Sequence, residues 1–337
     1  MKKIAIVGCT GLVGQMLLKV LEERDFPISE LYLMASSKSE GLIMTFKNRD
    51  YKVEALTPES FDRDIDIAFF TTSAKISKEY VPIAARKGIT VIDNSSAWRR
   101  ENAVPLVVPE VNGSDIKKHL GIISNPNCST IQAVIPLKPL LRKFGIKRIV
   151  FSTYQAVSGS GKDGIIDFEE GQKGKPPKYY PHPIVDNCIA QIGEFVMAGP
   201  YAGYTEEELK MIFETRKILH RESLLITATT VRVPIPNSHS ISVNVELKSP
   251  FTLEKIKALW EKQPGLVMVD DYKYQLYPTP LMATGTDAVY VGRLRRDYSV
   301  QHGINFWVVA DNLRKGAATN AVQIAEILIK EQKNNDI

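Results

Sequence analysis

The sequence predicts an α/β protein of two domains, and three observations carry that prediction. In the first third, short runs of consecutive apolar residues alternate with helix-periodic stretches. From Lys147 onward the runs lengthen, and several alternate between apolar and polar residues. The length, 337 residues, is about twice the roughly 150 residues usual for one domain.

The early runs are Ile4 to Val7, Leu31 to Ala35, Ile65 to Phe70, Thr90 to Ile92 and Leu106 to Val108, with helical patterns near 12–24 and 76–87 between some of them. Runs this apolar, with no period-2 alternation, suit strands buried on both faces of a parallel sheet. The later runs are Arg148 to Tyr154, Ile226 to Val233, Ser240 to Leu247, Val289 to Leu294 and Asn305 to Val309. They predict a mostly antiparallel sheet with one face covered by helices, making the second domain α+β. Thr230 to Ser240 reads as a hairpin in which Arg232 ends one strand and His239 opens the next. Residues 158–205, rich in Gly, Pro, Lys and Tyr around Gly171 to Pro177, read as an excursion or flexible loop. Asn312 to Gln332 carries Ala317, Ala318, Ala321, Ile324, Ala325 and Leu328 at helical spacing and predicts a long final helix.

Composition narrows the function classes. With 44% hydrophobic and 24% charged residues the chain is neither disordered nor collagen-like. Lys plus Arg number 43 against 38 Asp plus Glu, and a surplus of +5 spread evenly is too small for a nucleic-acid surface. It suits a few cationic pockets for anionic small molecules. No apolar run approaches the roughly 18 residues that span a bilayer, so no membrane partner is expected. Gly8 interrupts the first run too early for a signal peptide, which predicts a cytoplasmic protein. Cys9, Cys128 and Cys188 show neither a disulfide framework nor CxxC spacing, and no metal site is expected.

The first strand runs into Gly8-Cys9-Thr10-Gly11-Leu12-Val13-Gly14 and then a helix, a context in which glycines let backbone N–H groups approach a phosphate at a helix N-terminus. This GxxGxxG spacing departs from the commoner GxGxxG but predicts a Rossmann-like, dinucleotide-binding domain. After the second strand comes Ala35-Ser36-Ser37-Lys38-Ser39, with no acid before Glu40. An acid there would bond a ribose 2′-hydroxyl, whereas hydroxyls and a cation accommodate a 2′-phosphate, so NADP is the expected cofactor.

In Ser124-Asn125-Pro126-Asn127-Cys128-Ser129-Thr130 a strand ends, proline breaks it and a helical pattern begins. A cysteine at a helix N-terminus sits at the positive end of the macrodipole, which favours the thiolate, and a thiolate can attack an aldehyde or an acyl phosphate. Cysteine is also a common small buried hydrophobe, so position alone leaves both readings open for Cys128. Cys9 and Cys188 read as structural. The turn after Arg232 offers His239, which reads either as an ordinary surface residue of a turn or as a proton acceptor at neutral pH.

Taken together these residues resemble the aspartate-β-semialdehyde dehydrogenase family over essentially the whole chain. The carrying stretches are Gly8 to Gly14, Val91 to Arg99, Val107 to Asn112, Asn125 to Thr130, Ser152 to Gly159, Glu214-Thr215-Arg216-Lys217, Arg232 to His239 and Asp311 to Ala318. The resemblance implies reversible, NADP-dependent conversion of L-4-aspartyl phosphate to L-aspartate 4-semialdehyde and phosphate, on the route to lysine, methionine and threonine. It implies Cys128 as the thioester nucleophile, His239 as acid/base and Gln155 as a substrate-positioning residue. By the same resemblance Arg232 pairs with the substrate carboxylate, Glu214 with its amine, and Arg99 and Lys217 receive phosphate. Gly8, Thr10, Gly11, Leu12, Val13, Ser36, Lys38, Ser39, Ser158, Gly159 and Asn312 are implied cofactor contacts. The final helix is implied to return to the nucleotide domain, giving 1–127 with 313–337 as that domain and 128–312 as an inserted catalytic and dimerisation domain. A homodimer or homotetramer follows.

Three positions depart from the family pattern: Cys9 for a usual alanine, Ser238 for glycine before the histidine, and Lys38 for arginine. The first two are small for small and expected to be tolerated, while Lys38 keeps a charge but loses a planar contact. The alternatives are N-acetyl-γ-glutamyl-phosphate reductase, which usually has glycine where this chain has Asn127, and a nucleotide-sensing module without catalysis.

Overall fold

A computed structural model describes the backbone of residues 1–335 and the side chains of residues 1–331. The chain forms two compact units, Met1–Pro126 with Ala317–Ile337, and Asn127–Gly316. Among the described residues no helix is long and apolar enough to cross a membrane.

The first unit is built on a six-stranded sheet whose spatial order is Glu54–Ala55, Ile28–Ala35, Lys2–Val7, Ile67–Phe70, Thr90–Asp93 and Ile122–Ser124. Every neighbouring pair is parallel. Chain order runs outward from Lys2–Val7 in both directions, so the sheet is doubly wound and its switch point lies beside the first strand. Ile4 to Val7 and Ile67–Phe70, the central stretches, are fully buried because helices cover both faces, which is why they read as continuous apolar runs. On one face the helices Leu12–Glu23 and Thr319–Asn335 join a core containing Ile4, Ile6, Leu17, Leu21, Ala321 and Ile324. Ala74–Arg86 packs Val81 and Ala84 with Ala5, Val7 and Phe70 in a second core. Leu106 to Val108 is not a strand: only Leu106 makes a single bridge, to Ser124, before Pro109 opens a short helix.

The second unit carries a sheet in the order Leu225–Arg232, Ile146–Gln155, His239–Leu247, Gly303–Ala310, Val289–Asp297 and Leu266–Met268. The three central pairings are antiparallel and the two outer ones parallel. Its strands alternate: in Ile146–Gln155, Ile149, Phe151, Thr153 and Gln155 point inward while Tyr154 is exposed. Helix Cys128–Phe144 contributes Ile131, Val134, Ile135 and Leu140 to the interior, and Trp260 of helix Leu253–Trp260 donates its indole N–H to Pro136 O at 3.0 Å.

Three sequence expectations change here. Leu225–Arg232 and His239–Leu247 do not form a hairpin, because Ile146–Gln155 lies between them, parallel to the first and antiparallel to the second. The excursion is not all loop: Gly161–Gly171 is helical, and Asp167 holds the following segment by accepting backbone N–H bonds from Lys178, Tyr179 and Tyr180. The final helix begins only at Thr319, after a π-helical turn at Arg314–Ala318.

Candidate functional site

In the first unit the glycine-rich turn is shaped by close backbone approaches. Gly8 has φ of +88°, and a Cβ on Gly14 would lie 2.3 Å from Gly8 O, so neither position admits a side chain. Gly11 is the N-cap of helix Leu12–Glu23 and supplies no capping side chain, which leaves the first-turn N–H groups, including those of Leu12 and Val13, at the positive end of the helix. Thr10 and Ser39 hydroxyls stand 3.5 Å apart, so the turn after the second strand folds back beside the glycine turn. Ser36, Lys38 and Ser39 lie on that turn, with Ser36 and Lys38 exposed. A bare helix N-terminus in a doubly wound sheet fits the diphosphate of a dinucleotide. Arg99, nearly buried, donates from Nε to Asn125 O at 3.0 Å and from Nη2 to Asn94 O at 2.7 Å.

In the second unit Cys128 is the first residue of a 17-residue helix and is half-buried. Asn127 caps that helix, its Oδ1 accepting from the N–H groups of Ser129 and Thr130 at 3.0 and 3.2 Å. Cys9 is buried, and desolvation pushes its thiol up to about 11, while Cys188 is exposed in the excursion rather than packed in a core.

Two carboxylates of helix Glu206–Leu219 hold the Asn127 turn. Glu214 accepts the Asn127 backbone N–H at 2.7 Å. Glu207 accepts from Asn127 Nδ2 at 2.8 Å, Gln155 Nε2 at 3.1 Å and Lys210 Nζ at 3.1 Å. Burial alone would raise the Glu207 carboxyl, but Lys210 and the two amides hold it down at about 2, so it is a buried anion. Gln155 is fixed from its other end by Thr153 Oγ1, 2.9 Å from Oε1.

His239 is fully buried. Its Nδ1 accepts the Ala156 N–H at 3.0 Å, which places the ring proton on Nε2, and Nε2 finds no partner among the described residues. Desolvation first and the neighbouring Arg232 second push its pKa down to about 3. Arg232 donates from Nη1 to Ala156 O at 2.6 Å, and its backbone pairs in both directions with Ile189 of the excursion. Gly159 packs against this pair: a Cβ there would lie 2.9 Å from Arg232 Nη1 and 3.1 Å from His239 Nε2.

The geometry therefore gathers Cys128, Gln155, Arg232 and His239 in one unit. It also adds two residues that the sequence reading passed over, Glu207 and Lys210. Their signal was present, since Glu207 and Lys210 have the same i,i+3 spacing as Glu214 and Lys217, seven residues earlier on the same helix face. One oxygen of Glu214 accepts the Asn127 backbone N–H, whereas Glu207 is the carboxylate bonded to Gln155. Lys217 stands in the last turn of the helix, about 10 Å along the axis from Lys210. Asn312 is nearly buried, bonding Ser158 Oγ at 3.0 Å and the Ser238 N–H at 2.9 Å, so its amide ties two turns together. Ser238 itself has φ of +70°, the left-handed conformation that favours glycine, so the departure from glycine is strained rather than neutral; its hydroxyl gains a 2.8 Å bond with Thr284.

This pairing of a doubly wound, nucleotide-type unit with a unit that sets a cysteine at the first position of a helix and buries a histidine and an arginine together is that of a nucleotide-linked oxidoreductase. Family models agree unit by unit: "Semialdehyde dehydrogenase, NAD binding domain" matches residues 3–119 and "Semialdehyde dehydrogenase, dimerisation domain" residues 137–315. The chain is 50% identical to aspartate-semialdehyde dehydrogenase of Aquifex aeolicus, covering 98% of each chain. It matches the structure of aspartate semialdehyde dehydrogenase II of Vibrio cholerae complexed with ASA at a TM-score of 0.92 and 42% identity, over 98% of both chains. It also matches the Candida albicans enzyme with NADP at 0.76 and 26%, over 97% of this chain and 98% of that one. The chain belongs to the aspartate-semialdehyde dehydrogenase family.

Proposed function

We propose that the protein reduces L-4-aspartyl phosphate to L-aspartate 4-semialdehyde, reversibly and with NADP(H), through a thioester on Cys128. The observation that carries this reading is the Cys128 turn, placed at a helix N-terminus by Asn127 and clamped by Glu207 and Glu214. Cys128 Sγ attacks the acyl carbon, the C–O bond to phosphate breaks, and phosphate leaves. NADPH, when bound, would supply the hydride that reduces the acyl carbon, and Cys128 would then be released as the thiolate when its C–S bond breaks to give the aldehyde.

Arg232 binds the substrate carboxylate, and Gln155, held between Thr153 and Glu207, positions the acyl group. The histidine role shifts from the one its residue type suggests. With Nδ1 occupied by the Ala156 N–H, the neutral ring is a donor through Nε2 and stabilises charge on the acyl oxygen. Accepting a proton at Nε2 would need the other tautomer and the loss of that bond. Glu207 is the buried anion suited to the substrate amine, and Lys210, partly exposed at its side, is the cation suited to phosphate. Arg99 is the phosphate cation that the first unit offers. Ser36, Lys38 and Ser39 are proposed around the 2′-phosphate, with Gly8, Thr10, Gly11, Leu12 and Val13 at the diphosphate. Ser158, Gly159 and Asn312 are the cofactor contacts of the second unit.

A homodimer is proposed through the sheet face that the helices leave open. Tyr154, Ser242, Tyr277, Arg293, Arg295 and Trp307 line a cleft of about 500 Å³ there, in the stretch matching a dimerisation domain. The reductase of N-acetyl-γ-glutamyl phosphate is not favoured, because a glycine at 127 would lose both the helix cap and the Glu207 bond. NADPH oxidation is expected with L-4-aspartyl phosphate and not with N-acetyl-γ-glutamyl phosphate; the reverse preference would overturn the assignment.

A further inference from the structure

Gly316, inside the Asp311 to Ala318 stretch, has no role in the reaction described above. We propose that Gly316 is a positioning residue that sets where the Cys128 side chain stands, an inference that rests on Cys128 being the nucleophile. Gly316 lies in the π-helical turn Arg314–Ala318, a rare geometry that is frequent at functional sites. Glycine weakens a helical turn relative to alanine, and Gly316 is not in the left-handed region, so the backbone does not call for it.

Space calls for it. A Cβ on Gly316 would stand 3.0 Å from Cys128 Cβ, 3.5 Å from Cys128 Cα and 3.4 Å from Asp311 O. Neither backbone is free to retreat. The Cys128 turn is held by Asn127, Glu207 and Glu214. On the other side the Gly316 N–H donates to Asp311 O at 2.9 Å, and the Asp311 carboxylate accepts N–H bonds from Leu313 and Arg314 and the amide of Asn237. Lys315, next in the turn, is fully buried. Two held segments thus meet at Gly316 and the Cβ of the nucleophile, and a methyl group at 316 pushes that Cβ, and the thiol it carries, aside by a few tenths of an ångström.

The test is Gly316→Ala, read by the rate at which iodoacetamide alkylates Cys128 relative to the exposed Cys188 of the same molecule. The ratio is expected to change by about tenfold, with kcat falling roughly ten- to a hundredfold and KM for NADPH unchanged. A merely structural role would lower the thermal midpoint and leave the labelling ratio of the folded enzyme alone. A ratio and a kcat within twofold of the parent overturn the proposal. Should the variant fold poorly, Gly316→Ala in a Cys128→Gly background removes the opposing Cβ; the alanine must then cost less thermal stability than in the Cys128 protein, and an equal cost overturns the proposal. Full turnover by Cys128→Ser would instead remove the nucleophile assignment, while the labelling ratio would still report the contact.

Discussion

Glu207→Gln isolates the charge on which the site is organised. The side chain is nearly isosteric and can still accept from Asn127 and Gln155, but it presents no charge to Lys210 and turns an amide toward it. The native carboxyl titrates at about 2 against an ordinary value of 4.5, and at 1.36 kcal/mol per unit this depression is on the order of 3 kcal/mol of stability. Part of the Lys210 contribution is screened, since that lysine is partly exposed, so about 2–3 kcal/mol is expected at pH 7. The folded pKa lies below the unfolded one, so the contribution is complete above about pH 4.5 and is lost as pH falls toward 2. Chemical denaturation of parent and variant at pH 7, 5 and 3.5 should therefore show a gap that is constant between the first two and smaller at the third. A gap below about 1 kcal/mol at pH 7, or one that widens on acidification, would refute the view of Glu207 as a buried anion.

Lys210→Ala should raise the apparent KM for phosphate in the oxidative direction by roughly tenfold or more, and Lys217→Ala should leave it near the parent value; the opposite ranking would restore the assignment that the sequence suggested. Lys38→Glu should cost NADPH several-fold more in kcat/KM than NADH at one ionic strength, and an unmoved ratio would mean the 2′-phosphate meets a different loop. At Ser238, with its φ of +70° and its bond to Thr284, alanine keeps the strain and loses the bond, whereas glycine relieves the strain. Denaturation should thus find Ser238→Gly about 1 kcal/mol more stable than Ser238→Ala, and equal stabilities would contradict the strain.

What the sequence made legible follows from which forces act locally. Ile4 to Val7 and Ile67 to Phe70 are readable as central parallel strands because burial on both faces removes every polar residue. Gly14 is readable because a Cβ would strike Gly8 and Cys9 in the turn itself, and Gly8 because the turn holds it at a φ of +88°. Strand partners are not local: alternation showed that Leu225–Arg232 and His239–Leu247 are strands, but nothing in either segment says that Ile146–Gln155 lies between them. Glu207 went unread beside Glu214 for a similar reason. Both lie on one helix face with a lysine three residues on, and which of them reaches Gln155 is decided by how that helix meets the Asn127 turn. The small-for-small view of Ser238 overlooked that glycine there serves a positive φ, which a list of side-chain sizes does not reveal.

The central claim is that Cys128 carries the acyl group, and a covalent intermediate tests it most directly. Mixing the protein with L-4-aspartyl phosphate in the absence of NADPH, followed by acid quench and intact-mass and peptide analysis, should show one aspartyl adduct, located on Cys128 and lost on addition of NADPH. Its absence from Cys128 in a preparation that turns over with NADPH, or its appearance on Cys9 or Cys188, would contradict the account.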